Sequence, residues 1–213
     1  MSAAETPGLL ERERELHELE AAIAGALDGR GRSLLLEGPA GIGKTELLRA
    51  ALAIAGARGA RTVLARGSEF ERGFGFGVVR QLFEPLVAET PEAERAALLS
   101  GAAGLAGDAL GDGSEAAGAD TAFATLHGLY WLCVNLADRR PLVLAVDDLQ
   151  WADAASLRWI AFLARRIEGL PVLLVATLRT DGAAAEDRPA DELVVHRLAE
   201  TVRPPALSGE AVR

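Results

Sequence analysis

Among 213 residues there is one cysteine, one tyrosine and one lysine. A single cysteine excludes an internal disulfide framework, and Cys133, inside the apolar run LYWLCVNL, is expected as a small core residue. Long apolar runs are also missing. The longest uncharged stretch, Thr121 to Ala137, holds 17 residues including His127, Gly128 and Asn135, so it reads as a buried helix rather than a membrane span. The N-terminal stretch has no basic start followed by an apolar segment, so no secretion signal is expected and the cytoplasm is the expected location. Positive charge is in deficit, with 22 basic against 31 acidic residues and a net charge of −9. That balance argues against a broad nucleic-acid face and against adhesion to an anionic membrane. An anionic ligand would have to be held locally. What the chain does have is 50% hydrophobic residues, ample for the core of one domain spanning residues 1–213.

The pattern of those residues predicts alternating helices and strands. Leu16, Leu19, Ile23 and Leu27 recur at helical spacing over residues 11 to 28, and SLLLEG follows as a short buried strand. Leu47, Leu48, Ala51 and Leu52 mark a second helix, and RTVLARG at 61 to 67 a second strand. GSEFERGFGFG reads as a loop, with helices over 78–89 and 91–103 beyond it. Residues 104–119 carry five glycines and no aromatic residue, and are expected to form a flexible insertion. A long helix over 120–138 leads into PLVLAVDD, whose continuous apolar run is the pattern of a central parallel strand. Leu157, Ile160, Ala164 and Ile167 predict a helix capped by Asp153 and stopped at Gly169, and PVLLVATLR a further strand. This alternation predicts an α/β fold, a parallel sheet with helices on both faces, and ligands at the carboxyl ends of the strands.

Three motifs fall at those ends, and the first contains the one lysine. GPAGIGKT, Gly38 to Thr45, fits G-x-x-x-x-G-K-[ST] between a predicted strand and a predicted helix. In such a P-loop the glycines at 38, 41 and 43 let successive N–H groups converge on phosphate oxygens at a helix N-terminus. Gly38, Pro39, Ala40, Gly41, Ile42, Gly43, Lys44 and Thr45 are therefore the candidate nucleotide-binding residues. A phosphate wrapped by backbone leaves room for a slim ammonium but not for a planar guanidinium, which explains why a chain so rich in arginine places its lysine at position 44. Thr45 and Asp147 are candidate Mg²⁺ ligands, and Asp148 is the candidate catalytic carboxylate that orients or deprotonates water. Arg179, after the strand PVLLVATL, is the candidate γ-phosphate sensor, with Thr177 a weaker one. His127 is expected as a hydrogen-bonded core or boundary residue rather than a ligand, and Trp151 as packing at the corner after the carboxylates.

LLERERELHELEAAI, LLLEGPAGIGKTELLRA, ARGSEFERGFGFGVVRQLFEPL, LVLAVDDLQWADAASLRWIAFLARR and LLVATLR together resemble the N-terminal P-loop ATPase module, of the AAA/STAND type, of large LuxR-family bacterial regulators. The resemblance covers nearly the whole chain, and DDLQWAD and FGVVRQLFEPL are its narrower signals. It implies a P-loop NTPase three-layer sandwich of the ASCE type with strand order 5-1-4-3-2, in which TVRPPALSG supplies an edge strand. It also implies ATP and Mg²⁺ as ligands, with slow ATP hydrolysis serving signal transduction. The family's first helix carries a G-R-E pattern near the adenine, which maps to Glu11, Arg12 and Glu13, with Glu11 in place of glycine. No winged-helix, helical-repeat or helix-turn-helix segment is expected in these 213 residues, so the expected partners are ATP or ADP, and other proteins or further domains rather than nucleic acid or membrane. Two other readings stay open at this point: a small-molecule P-loop phosphotransferase, and a non-hydrolysing nucleotide-binding interaction module.

Overall fold

Strands with no polar face must be covered on both sides, and three segments of this chain meet that condition. In the computed structural model, which describes residues 9–111, 119–181 and 195–208, β1 (Arg32–Gly38), β3 (Leu142–Asp147) and β4 (Val172–Arg179) are buried almost throughout. β2 (Arg61–Arg66) and the short β5 (Glu200–Val202) are partly exposed and form the edges. All pairings are parallel, in the order β2-β3-β4-β1-β5. This is the predicted order read from the other edge, and Pro204 and Pro205 come one residue after the edge strand β5, where no further ladder bond is needed.

The two-residue period of the strands sorts their side chains between two apolar layers. Leu34 and Leu36 of β1, Val143 and Ala145 of β3 and Leu173 and Val175 of β4 face α1 (Glu13–Leu27) and α2 (Lys44–Ala57). Leu35, Leu144, Val146, Leu174 and Ala176 face the other way. There they meet α3 (Gly77–Ala88), α6 (Ala119–Arg139) and α7 (Ala154–Ala164). In this second layer Phe83 and Trp159 pack edge to face, with centroids 5.0 Å apart at 85°. Cys133 is fully buried there, and burial pushes its thiol up to about 12.

Three expectations about connections need revision. The helix expected over 91–103 divides into α4 (Glu92–Leu98) and a 3₁₀ helix, Gly101–Ala106, whose first residue, Gly101, takes φ +61°. The stretch expected as a flexible insertion, 104–119, begins as the end of that 3₁₀ helix and continues as α5 (Gly107–Leu110), with Ala106 and Ala109 fully buried; residues 112–118 lie outside the described set. Its small residues permit close packing rather than a solvated loop. A Cβ on Gly128 of α6 would come within 2.5 Å of Ala106 N. Finally, α7 ends at Ala164, before Gly169, which serves the turn into β4 with φ +82°. Among the described residues no helix is long and apolar enough to cross a membrane.

Candidate functional site

β1 delivers the chain to Gly38, and the next seven residues form the loop expected to bind phosphate. Gly41 and Gly43 take φ +76° and +96°, which a residue with a Cβ adopts only under strain, and α2 starts directly at Lys44. The amides of the loop thus lead into the positive end of a 14-residue helix. Lys44 is only 7% exposed and turns back along the loop, donating from Nζ to the carbonyl oxygens of Gly38 and Pro39, both at 2.7 Å. Burial lowers its pKa, and the nearby Arg179 guanidinium lowers it further against the opposing pull of Asp181, Asp148 and Asp147.

The end of β3 brings two carboxylates to the same rim with different partners. Thr45 Oγ1 donates toward both oxygens of Asp147, at 3.1 Å each, across 102 residues of sequence. Thr177 Oγ1 lies 2.7 Å from Asp147 Oδ1 and also accepts from the N–H of Asp148 at 2.8 Å, so one hydroxyl of β4 ties both residues. Asp148 stands at φ 55°, a left-handed conformation uncommon outside glycine, and this backbone contact helps to hold it there. Its Oδ1 accepts from Gln150 Nε2 at 2.9 Å and from Arg179 Nε at 3.1 Å, and its Oδ2 from Arg66 Nη2 at 3.1 Å. Burial by itself would raise the Asp148 pKa, but the Gln150, Arg66 and Arg179 donors outweigh it and hold the carboxyl below its usual range.

Register explains how these groups meet. Arg66 pairs with Asp147 at the end of β2, and Arg179 pairs with Gly38 where β4 runs beside β1. Gln150 fastens the corner from below, its Oε1 accepting the N–H of Arg179 at 3.2 Å. Gly67, just past β2, runs so close under the 148–152 turn that a Cβ there would sit 2.9 Å from both Ala152 N and Trp151 C. Asp153 then receives the N–H groups of Ser156 at 2.9 Å, Phe76 at 2.8 Å and Val78 at 3.3 Å, so the expected cap of α7 also pins the start of α3. Trp151, three residues past Asp148, lies under the guanidinium of Arg72, 5.4 Å from its ring centroid. His127 lies away from this rim, where it accepts from Trp131 Nε1 at 3.0 Å.

Behind the loop the chain is braced by residues that sequence reasoning left without a structural role. Arg12, nearly buried, donates to Ile42 O at 3.0 Å, inside the loop itself. Glu11, which stands where the resembled pattern has glycine, adopts φ 56°, the conformation that glycine reaches without strain. Its carboxylate accepts the N–H of Ser208 at 2.7 Å and also the Ser208 hydroxyl, and these bonds lower its pKa. Glu37, one residue before the loop and buried, pairs with Arg203 at 2.7 Å and lies 3.2 Å from His196 Nε2. The apolar context of Glu37 in SLLLEG was the one available signal, since a carboxylate in a buried strand needs partners.

The structure therefore gathers Lys44, Thr45, Asp147, Asp148 and Arg179 at the carboxyl ends of β1, β3 and β4. The residue set suits phosphate and magnesium: loop amides at a helix N-terminus and an ammonium for the anion, hydroxyl and carboxylate oxygens for a small hard cation.

Comparison with known proteins agrees with this arrangement. A model of the family described as the AAA ATPase domain matches residues 8–175. The chain is 30% identical over 206 residues to an uncharacterized protein of Rhizobium meliloti; the match takes in 83% of the chain but spans only 19% of that relative. Among solved structures, the ORC2 protein of Aeropyrum pernix, described in ADPNP and ADP complexes, superposes with a TM-score of 0.57 at 17% identity, covering 93% of this chain and 49% of that one. The Cdc6p protein of Pyrobaculum aerophilum gives 0.56 at 19% identity, covering 95% and 48%. At such identities the likeness concerns the fold, which is that of the P-loop NTPases.

Proposed function

The chain belongs to the AAA ATPase domain family, and from that premise we propose that it is a Mg·ATP-binding module that hydrolyses ATP slowly and serves as the signal-transduction part of a LuxR-type regulator. The observation that carries this reading is the bond from Thr45 to Asp147, which joins the phosphate loop to the acidic end of β3 at one rim. In this proposal the amides and side chains of residues 38–45 hold the triphosphate, and Thr45 and Asp147 hold Mg²⁺. The cation, when bound, supplies charge neutralisation for the phosphate oxygens. Asp148 orients the attacking water through Oδ2, which among the described residues accepts from Arg66, while Oδ1 accepts from Gln150 and Arg179. Arg179, at the end of β4, offsets charge on the terminal phosphate. The choice of adenine follows the family description.

Slow turnover is supported by how Asp148 is held: with three donors on it and a depressed pKa, it is a weak base at rest. The net charge of −9 supports proteins or adjoining domains, rather than nucleic acid or membrane, as partners. The test is a titration of the protein with ATP, GTP and ADP, with and without Mg²⁺, followed by calorimetry or thermal shift. Saturating Mg·ATP at about 100 times its dissociation constant should stabilise the fold by about 2.7 kcal/mol. Lys44→Ala should lose at least about 100-fold in Mg·ATP affinity, because a buried charged donor to the phosphates is removed. A Lys44→Ala protein that binds Mg·ATP like the unaltered chain would refute the assignment.

A further inference from the structure

One contact at the loop is not used by the function proposed above. The N–H of Ala40 donates to both carboxylate oxygens of Asp181, at 3.1 and 3.3 Å, across 141 residues of sequence. Asp181 lies just past β4, two residues beyond Arg179, and the N–H of Thr180 between them is bonded to Gly38 O at 3.2 Å, which fixes the two backbones side by side. A carboxylate is thus seated on an amide of the very loop whose amides are shaped for anions.

The position of that amide along the loop gives the contact its meaning. In a P-loop the backbone next to the helix cradles the inner phosphates, while the lysine reaches the outer ones. Here the Lys44 ammonium lies against Pro39 O, so residues 38–40 mark the outer end of the phosphate track. Ala40 is at this end, and the charges of Arg179 and Asp181 both act on Lys44 there. A carboxylate and a terminal phosphate share their charge sign and their need for an N–H donor, so the two cannot be accommodated at the Ala40 amide without repulsion.

We infer that Asp181 is a specificity-determining residue that discriminates between nucleoside tri- and diphosphates: its carboxylate occupies the Ala40 amide that a third phosphate needs, and so penalises the triphosphate selectively. This rests on the nucleotide reading above. A diphosphate ends short of Ala40 and escapes the penalty. The bound triphosphate must displace the carboxylate, which rotation of the exposed Asp181 side chain allows while Thr180 stays bonded to Gly38.

The experiment is isothermal calorimetry of the 213-residue chain and of its Asp181→Asn and Asp181→Ala variants with Mg·ATP and with Mg·ADP. Asp181 is exposed, so both substitutions leave the fold intact. The expected result is an affinity for ATP increased by about five- to tenfold in both variants, with ADP affinity changed by less than about twofold, as befits one partly solvated charge. Equal gains for both nucleotides, unchanged ATP affinity, or weaker ATP binding would each overturn the inference. In all three of those outcomes nucleotide binding by the unaltered chain persists. Absence of any nucleotide binding by the unaltered chain would instead refute the proposed function, and this inference with it.

Discussion

Asp147 and Asp148 leave the same strand one residue apart, yet their surroundings differ in kind. The corner around Asp147 is built of hydroxyls, Thr45 and Thr177, which donate hydrogen bonds but bring no charge. The corner around Asp148 is built of guanidiniums, Arg66 and Arg179, with the Gln150 amide. Hydroxyls keep a carboxylate in place while its charge stays available to a cation; arginines take that charge up. In the function proposed above, identical side chains thereby take different work, cation binding for Asp147 and the orienting of water for Asp148, by the elements that flank β3.

The sharpest way to break this contrast is to neutralise Asp147. Asp147→Asn should weaken Mg-dependent ATP binding by about 10- to 100-fold while changing Mg-free ADP binding little, as read by calorimetry in magnesium and in chelator. If the loss is equal in chelator, the hydroxyl corner is not a cation site.

A smaller effect is expected at the other corner. Arg66→Ala removes one exposed donor from Asp148 Oδ2 and should raise steady-state ATP turnover about two- to fivefold, with nucleotide affinity unchanged. A fall in turnover would mean that Arg66 assists the reaction and does not restrain it.

The smallest effect concerns stability. The folded pKa of Asp148 is depressed below its ordinary value of 3.8, so the ionised group stabilises the fold above that value, and the contribution disappears as pH falls through the folded pKa. The stability gap between the unaltered chain and Asp148→Asn should be constant from about pH 7 to about pH 5 and close below about pH 4; with partly exposed arginine partners it should not exceed about 1 kcal/mol. Denaturant midpoints at several pH values measure it, and a gap that widens toward low pH would contradict the depressed pKa.

The two corners were not equally legible in the sequence. Lys44, Thr45 and Asp147 stand in local patterns, a glycine-rich turn between strand and helix and an apolar run ending in acid, so their meeting follows from strand order alone. Arg66 and Gln150 stand inside quoted motifs, but no local pattern names their partners, and Asp181 carries no pattern. Their contacts depend on register, on Arg66 pairing with Asp147 across an edge strand and on Thr180 bonding Gly38, which are long-range facts that periodicity does not encode. The fold shows the same division. Buried strands announced themselves through unbroken apolar runs, whereas Gly101–Ala106 and α5 were disguised by small residues that suit a linker as well as a tight helix contact. Glu11 was legible only as a departure from a pattern, and its positive φ shows that the backbone shape survived the change of side chain.

The passage of Gly67 beneath the 148–152 turn has a mechanical corollary. The seat of Asp148 is gauged by a hydrogen atom: a single methyl group at position 67 would collide with the backbone of Asp148, Trp151 and Ala152, so the turn that carries the carboxylate and the end of β2 that carries Arg66 would have to part. The arginine corner can thus be misaligned from beneath, by one carbon, with every charged residue left in place.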